Sequence, residues 1–171
     1  MRKKFFLIYL IFFIAIIGCP KYRFTVGKSN TYGIKTVAIP YFKNKTYEAG
    51  LEYIFTNSLV SVFNKNQQVA VYNKDSADAI IEGTIEYVDL TAISFTREDK
   101  ALEYRSRIRL SIILRKRETG EILWRNEDID VQEDFNVEGG AQYTDIHKRE
   151  SFLRIAKKAS EDIYDSIMSD F

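Results

Sequence analysis

Arginine dominates one stretch of this sequence. Eight of the 21 residues from Arg97 to Arg117 are basic: Arg97, Lys100, Arg105, Arg107, Arg109, Arg115, Lys116 and Arg117. Arg105, Arg107 and Arg109 recur at every second residue, which puts them on one strand face about 6.5–7 Å apart. A guanidinium fork grips phosphate or carboxylate through two parallel hydrogen bonds, so the row suits an anionic ligand such as lipid headgroup phosphates. The chain also supplies the opposite charge, with seven acids and one base from Glu121 to Glu138. A hairpin register with Asp130 opposite Arg109 and Asp134 opposite Arg105 gives cross-strand pairs of ~0.2–1 kcal/mol each, leaving little free positive charge. Both readings stand at this level. Arg107 would face Gln132 and is the least neutralised of the three, so it is the first candidate for an anionic contact. Arg105 and Arg109 follow, with Arg97 and Lys100 in the preceding loop.

Other chemistry finds little support. His147 is the sole histidine. It falls near the start of a helix and reads as a solvated helix residue, because a general base needs an orienting partner and a nucleophile in reach. One histidine and one cysteine are too few for a transition-metal site. Asp128, Asp130, Glu133 and Asp134 lack the spacing and turn glycine of a calcium loop. Gly139-Gly140 has no phosphate-loop pattern around it. The expectation is a protein that is not an enzyme and carries no metal or diffusible cofactor.

Cys19 is the only cysteine, and it ends the run Ala15-Ile16-Ile17-Gly18-Cys19. Arg2, Lys3 and Lys4 precede thirteen uncharged residues from Phe5 to Ile17. A basic start, a short apolar run and a small residue before the cut site make a secretory signal. Thirteen helical residues span only ~20 Å, too short for a ~30 Å hydrocarbon core. The cysteine placed after that small residue resembles the bacterial lipoprotein signal. Residues 1–18 would then be removed, and Cys19 would carry acyl chains, palmitate among them. Several acyl chains anchor stably where one does not. Pro20 in place of aspartate after the cysteine favours the outer membrane under the enteric sorting rule. Removing the signal leaves 22 basic residues against 24 acidic, a balance with no strong field for nucleic acid.

The remainder reads as a tether over 19–33 and one domain over 34–171. Ile34 to Tyr41 predicts a first strand ending near Pro40. Thr46 is a helix cap, and Leu51, Ile54, Phe55, Leu59, Val62 and Phe63 predict an amphipathic helix over 48–65. A short strand follows at 68–73. From Ala79 the period becomes two, with Ile81, Gly83, Ile85 and Tyr87 on one face. That parity runs on through Ile93 and Phe95, so the strand is long. In the next strand Tyr104, Ile108, Leu110, Ile112 and Leu114 oppose the arginine face, and Glu118-Thr119-Gly120 signals a hairpin turn. In the return strand the apolar residues move from even positions (Ile122, Trp124) to odd ones (Ile129, Val131), which requires a β-bulge between Arg125 and Asp128. Thr144 caps a last helix whose stripe is Phe152, Ile155, Ala156, Ala159, Ile163 and Ile167. The expected architecture is α+β: a two-layer sandwich with two helices packed on one face of a mixed four- to five-stranded sheet.

These segments resemble, in order, the lipopolysaccharide-assembly lipoproteins of the LptE type. Cys19-Pro20-Lys21-Tyr22-Arg23-Phe24 is similar to that family's cysteine-then-GYRF opening, with Pro20-Lys21 in place of a single glycine. The run from Ile34 to Phe63 resembles its strand-turn-helix start, and Asp78 to Ile85 its ADAxLxGxI strand. Glu103-Tyr104-Arg105 and Glu118 to Trp124 match its next hairpin. The resemblance implies a periplasmic-side outer-membrane lipoprotein. It would plug a large β-barrel translocon that inserts lipopolysaccharide into the outer leaflet, assist that barrel's assembly, and contact the glycolipid, with the arginine row meeting its phosphates. The start VAIPYFKN also resembles curli-secretion and penicillin-binding-protein-activator lipoproteins, which continue with α/β alternation where this chain has a three-stranded meander.

Overall fold

The computed structural model describes residues 33–137 and 141–170. The signal segment, Cys19 and the tether as far as Tyr32 lie outside the described residues, as do Gly139 and Gly140. The elements are β1 (Thr36–Ala38), β2 (Lys43–Asn44), α1 (Leu51–Asn66), β3 (Ala70–Val71), β4 (Ala79–Phe95), β5 (Ala101–Lys116), β6 (Ile122–Asn136) and α2 (Ala141–Asp170). The strands form one mixed sheet in the order β3-β1-β4-β5-β6, with β2 added on β4 beyond β1. β1 is parallel to both β3 and β4, and β4, β5 and β6 form an antiparallel meander.

The α+β expectation holds, with six strands instead of four or five. The added strand is β2, between the expected first strand and first helix. It joins because the chain after β1 keeps to the edge of β4, where the Lys45 amide donates to the Ile85 carbonyl at 3.0 Å. β1 is shorter than the expected 34–41, since Pro40 has no N–H for a ladder.

Both helices cover one face. Leu51, Phe55, Leu59 and Phe63 of α1 pack in one core with Phe152, Ile155, Ala156, Ala159, Ile163 and Ile167 of α2, over Ile81, Ile85, Ile108, Leu110, Ile112 and Leu114 of the sheet. The helix starts differ from expectation. α1 begins after Gly50, whose φ of 88° leads the chain into the helix with no side-chain cap. Thr46 instead closes the preceding turn, donating to Asn44 Oδ1 at 2.8 Å and accepting the Glu48 amide at 3.3 Å. α2 begins at Ala141, so Thr144 lies inside its first turn and is not its cap.

The meander positions the arginines. The expected bulge in β6 is present: Leu110 faces Ile129 while Ile112 faces Asn126, so β6 holds one extra residue there. Further register shifts were not expected: one falls at Leu114–Arg115 of the β5–β6 ladder, two between Ala92 and Phe95, and one just after Ile85. Ile85 faces Leu110 and Tyr87 faces Arg109, which leaves Glu86 as the extra residue of β4. It inverts the parity read from the sequence. Tyr87, Ile93 and Phe95 are exposed, while Val88 packs against the core instead.

Candidate functional site: a neutralised arginine lattice and a mixed-charge hairpin tip

The register of β5 against β6 follows the sequence reading. Arg105 faces Asp134, Arg107 faces Gln132 and Arg109 faces Asp130. Strand period two keeps these side chains on the face away from the helices, while Ser106, Ile108 and Leu110 are buried beneath them.

Arg105 makes a forked pair, Nε to Asp134 Oδ1 at 2.7 Å and Nη2 to Oδ2 at 2.8 Å. Arg107, expected to be the least neutralised, reaches diagonally past Gln132, and its Nε donates to both oxygens of Asp130 at 2.9 Å. That engagement displaces Arg109 from its register partner. Its Nε lies 3.5 Å from Asp128 and 3.9 Å from Asp130 without an aligned hydrogen bond, and its guanidinium covers the Tyr87 ring at 5.9 Å. Arg115 pairs with Glu82 at 3.0 Å. On the helix side Arg154 holds Glu133 at 2.7 Å. The Arg107 hydrogen bond keeps the Asp130 carboxyl below the usual aspartate range, and the Arg105 bond does the same for Asp134. The row is thus a lattice of exposed pairs, each weak alone, with its charge largely cancelled.

Arg97 and Lys100 are different. Both stand in the turn joining β4 to β5, where the Thr96 amide donates to the Lys100 carbonyl at 2.8 Å and Asp99 adopts φ 57°. Neither has an ion-pair partner among the described residues. Exposed Ile93, Phe95 and Leu102 flank them.

His147 is half-buried and not freely solvated. Its Nδ1 lies 2.8 Å from the Asn136 carbonyl oxygen, tying the start of α2 to the end of β6. Among the described residues no cluster of three acidic, histidine or cysteine side chains is arranged to hold a metal, and no helix is long and apolar enough to cross a membrane.

Sequence reasoning missed Asp78. Its Oδ2 accepts the Lys35 and Thr36 amides at 2.9 Å each, while its own amide donates to Thr36 Oγ1 at 2.9 Å. These bonds hold its carboxyl below the usual range and fix β1 against β4. An aspartate just before a strand is the only sequence signal for it.

Among curated proteins, none matches the chain. Solved structures resemble its fold at low identity. A candidate lipoprotein of Caulobacter crescentus is 12% identical, with a TM-score of 0.53 over 75% of this chain and 88% of its own. Lipoprotein B of Nitrosomonas europaea is 15% identical, with a TM-score of 0.52 over 76% and 79%. A minor lipoprotein of Acinetobacter baumannii is 8% identical, with a TM-score of 0.51 over 80% and 92%. Residues 34–170 match the sequence profile described as LptE, lipopolysaccharide-assembly. That match covers almost all of the chain after its N-terminal segment, and it does not favour the curli-secretion or synthase-activator alternatives. The chain belongs to the LptE lipopolysaccharide-assembly family.

Proposed function

We propose that this protein is an outer-membrane lipoprotein, held on the periplasmic side by acyl chains on Cys19, whose α+β domain plugs the lumen of a large β-barrel lipopolysaccharide translocon and assists that barrel's assembly. It works by binding and not by turnover. The observation that carries the reading is the sheet's outer face. Barrel lumens are polar, and over β5 and β6 this face is polar yet largely neutralised, with Arg105 and Arg107 each matched to an aspartate. Such a surface enters a polar lumen with two of its arginines already paired, which lowers the cost of covering their charge. Arg97 and Lys100 at the hairpin tip remain for lipopolysaccharide phosphates, with the paired arginines of the lattice as secondary contacts.

The test is recovery of the lipidated protein from outer membrane in mild detergent. A large barrel protein at one-to-one stoichiometry, with an acylated N-terminal Cys19 by mass spectrometry, is the expected result. A homo-oligomeric ring, a peptidoglycan synthase, or an unmodified thiol on the secreted product refutes it.

A further inference from the structure

The outer side of the helix layer carries a groove of about 660 Å³ between α1 and α2. Lys148 pairs with Glu48 at 3.2 Å, and Tyr164 meets Phe63 edge-on at 5.0 Å. The two helices therefore run parallel, with successive turns level. Ile54 and Val62 of α1 and Leu153 and Ala156 of α2 give the groove its apolar lining. Leu153 is 48% exposed. At the end beside Gly50, Tyr53 is 53% exposed and braced edge-on by Tyr41 at 5.0 Å. Asn57, Ser58 and Ser61 put short side chains on the α1 wall, which lets a neighbouring backbone come close.

Charge along the groove is uneven. Arg149 and Lys157 on the α2 wall and Lys65 on the α1 wall face a single lining acid, Glu161. Other α2 cations are committed, Lys148 to Glu48 and Arg154 to Glu133. Arg149, Lys157 and Lys65 have no ion-pair partner among the described residues. Lys157 follows Arg149 by eight residues, or ~12 Å of helix. Lys65, level with the turn after Tyr164, stands about as far again along the groove.

That spread selects the occupant. A lipid headgroup gathers its negative charge at one point and meets one of the three cations. Both walls are helices, whose backbone groups are used internally, so an extended peptide would bring N–H and C=O groups with no backbone partner. A helix satisfies its own backbone and lies in such a groove with its apolar stripe down. Acids two turns apart keep to one flank of that stripe. The chain does not supply such a helix. Residues 1–32 contain six bases and no acid, and a second copy docked by the same face would set like charges against each other.

We propose that the groove between α1 and α2 is a docking site for an amphipathic helix of a partner protein, with acids flanking its apolar stripe at levels about two turns apart. Apolar side chains enter among Ile54, Val62 and Leu153, and the acids meet Arg149, Lys157 and Lys65. Exposed ion pairs weigh little singly, so the acids choose the partner and the stripe holds it. A partner helix here is additional to any barrel on the opposite, sheet face, and the two are tested apart.

The test is amine acetylation read by mass spectrometry on the full-length lipidated protein in neutral detergent micelles. The probe is a blocked 18-residue peptide of alanine and leucine with a leucine stripe and three flanking glutamates, one every two turns. At saturation it is expected to slow acetylation of Lys65 and Lys157 by about threefold or more, while exposed Lys74 keeps its rate. Arginines in place of the glutamates should raise the peptide concentration needed by about tenfold, and Arg149→Glu should raise that of the glutamate peptide by about threefold at low salt. No protection at millimolar glutamate peptide overturns the proposal, as does equal protection by both peptides. Equal protection by phosphatidylglycerol assigns the groove to anionic lipid. Slow acetylation without peptide assigns it to a second copy if it grows with protein concentration, and to the chain's own N-terminal segment if it persists on dilution. Each of those three results also overturns it.

Discussion

Replacing Gly83 with alanine tests the packing that seats the segment between β1 and α1. Gly83 lies in β4 opposite Ile112. A Cβ built there falls under 3.0 Å from three atoms of the Phe42 ring, closer than real Cβ atoms approach. The ring has little freedom to yield. It is only 3% exposed, stacks on Phe55 at 6.2 Å, and its backbone amide donates to the buried Thr56 hydroxyl at 3.0 Å. Overpacking of this kind costs about 1–3 kcal/mol. Alanine also restricts the unfolded chain, which offsets ~0.4–1 kcal/mol. The net expectation is a loss of about 1–2 kcal/mol, read as a fall in Tm of ~2–8 °C for a chain of this size. Urea and thermal unfolding by circular dichroism measure it. Phe42→Leu alone leaves a partial void and destabilises. Combined with Gly83→Ala it should recover stability relative to the sum of the single variants, because the shorter side chain vacates the space the new methyl needs. If Gly83→Ala is neutral or stabilising, or if the two changes are additive, the argument from close approach is wrong.

Thr56→Val keeps the shape of the buried side chain but removes the acceptor for the Phe42 amide, so unfolding titration should show a loss of about 1–3 kcal/mol. Asp78 has its carboxyl lowered chiefly by the Lys35 amide and the Thr36 hydroxyl. Its contribution is complete above the unfolded-state aspartate value and is lost as pH falls through the lower folded-state value. Asp78→Asn should therefore flatten the slope of stability against pH in the acid range, and an unchanged slope refutes the assignment. Charge reversal at the hairpin tip, Arg97→Glu with Lys100→Glu, should weaken lipopolysaccharide binding at low salt and leave Tm nearly unchanged, since neither side chain has an ion-pair partner among the described residues. Arg107→Gln should cost less of that binding than the tip variant, because Asp130 already occupies the guanidinium; a larger loss from Arg107→Gln reverses the ranking.

Much of the meander was legible in the residues themselves. Strand period is two, so apolar residues changing parity between Trp124 and Ile129 require one extra residue, and that bulge, together with a further one-residue shift at Leu114–Arg115, sets the pairing of Arg105, Arg107 and Arg109 with β6. The helix stripes were equally legible, because a 3.6-residue period and a run such as Phe152, Ile155, Ala156 and Ala159 admit one buried face. What register cannot specify is where a long flexible side chain goes. Arg107 faces Gln132 along the backbone yet takes Asp130 diagonally, which leaves Arg109 over Tyr87. The β4 bulge was hidden because Tyr87, Ile93 and Phe95 are as apolar as a core strand requires, so composition did not betray that they face outward. Only the three-dimensional arrangement fixes that β2 pairs with β4 at Thr84 and Ile85. Which strands lie side by side is a long-range property, and no local pattern of side chains encodes it.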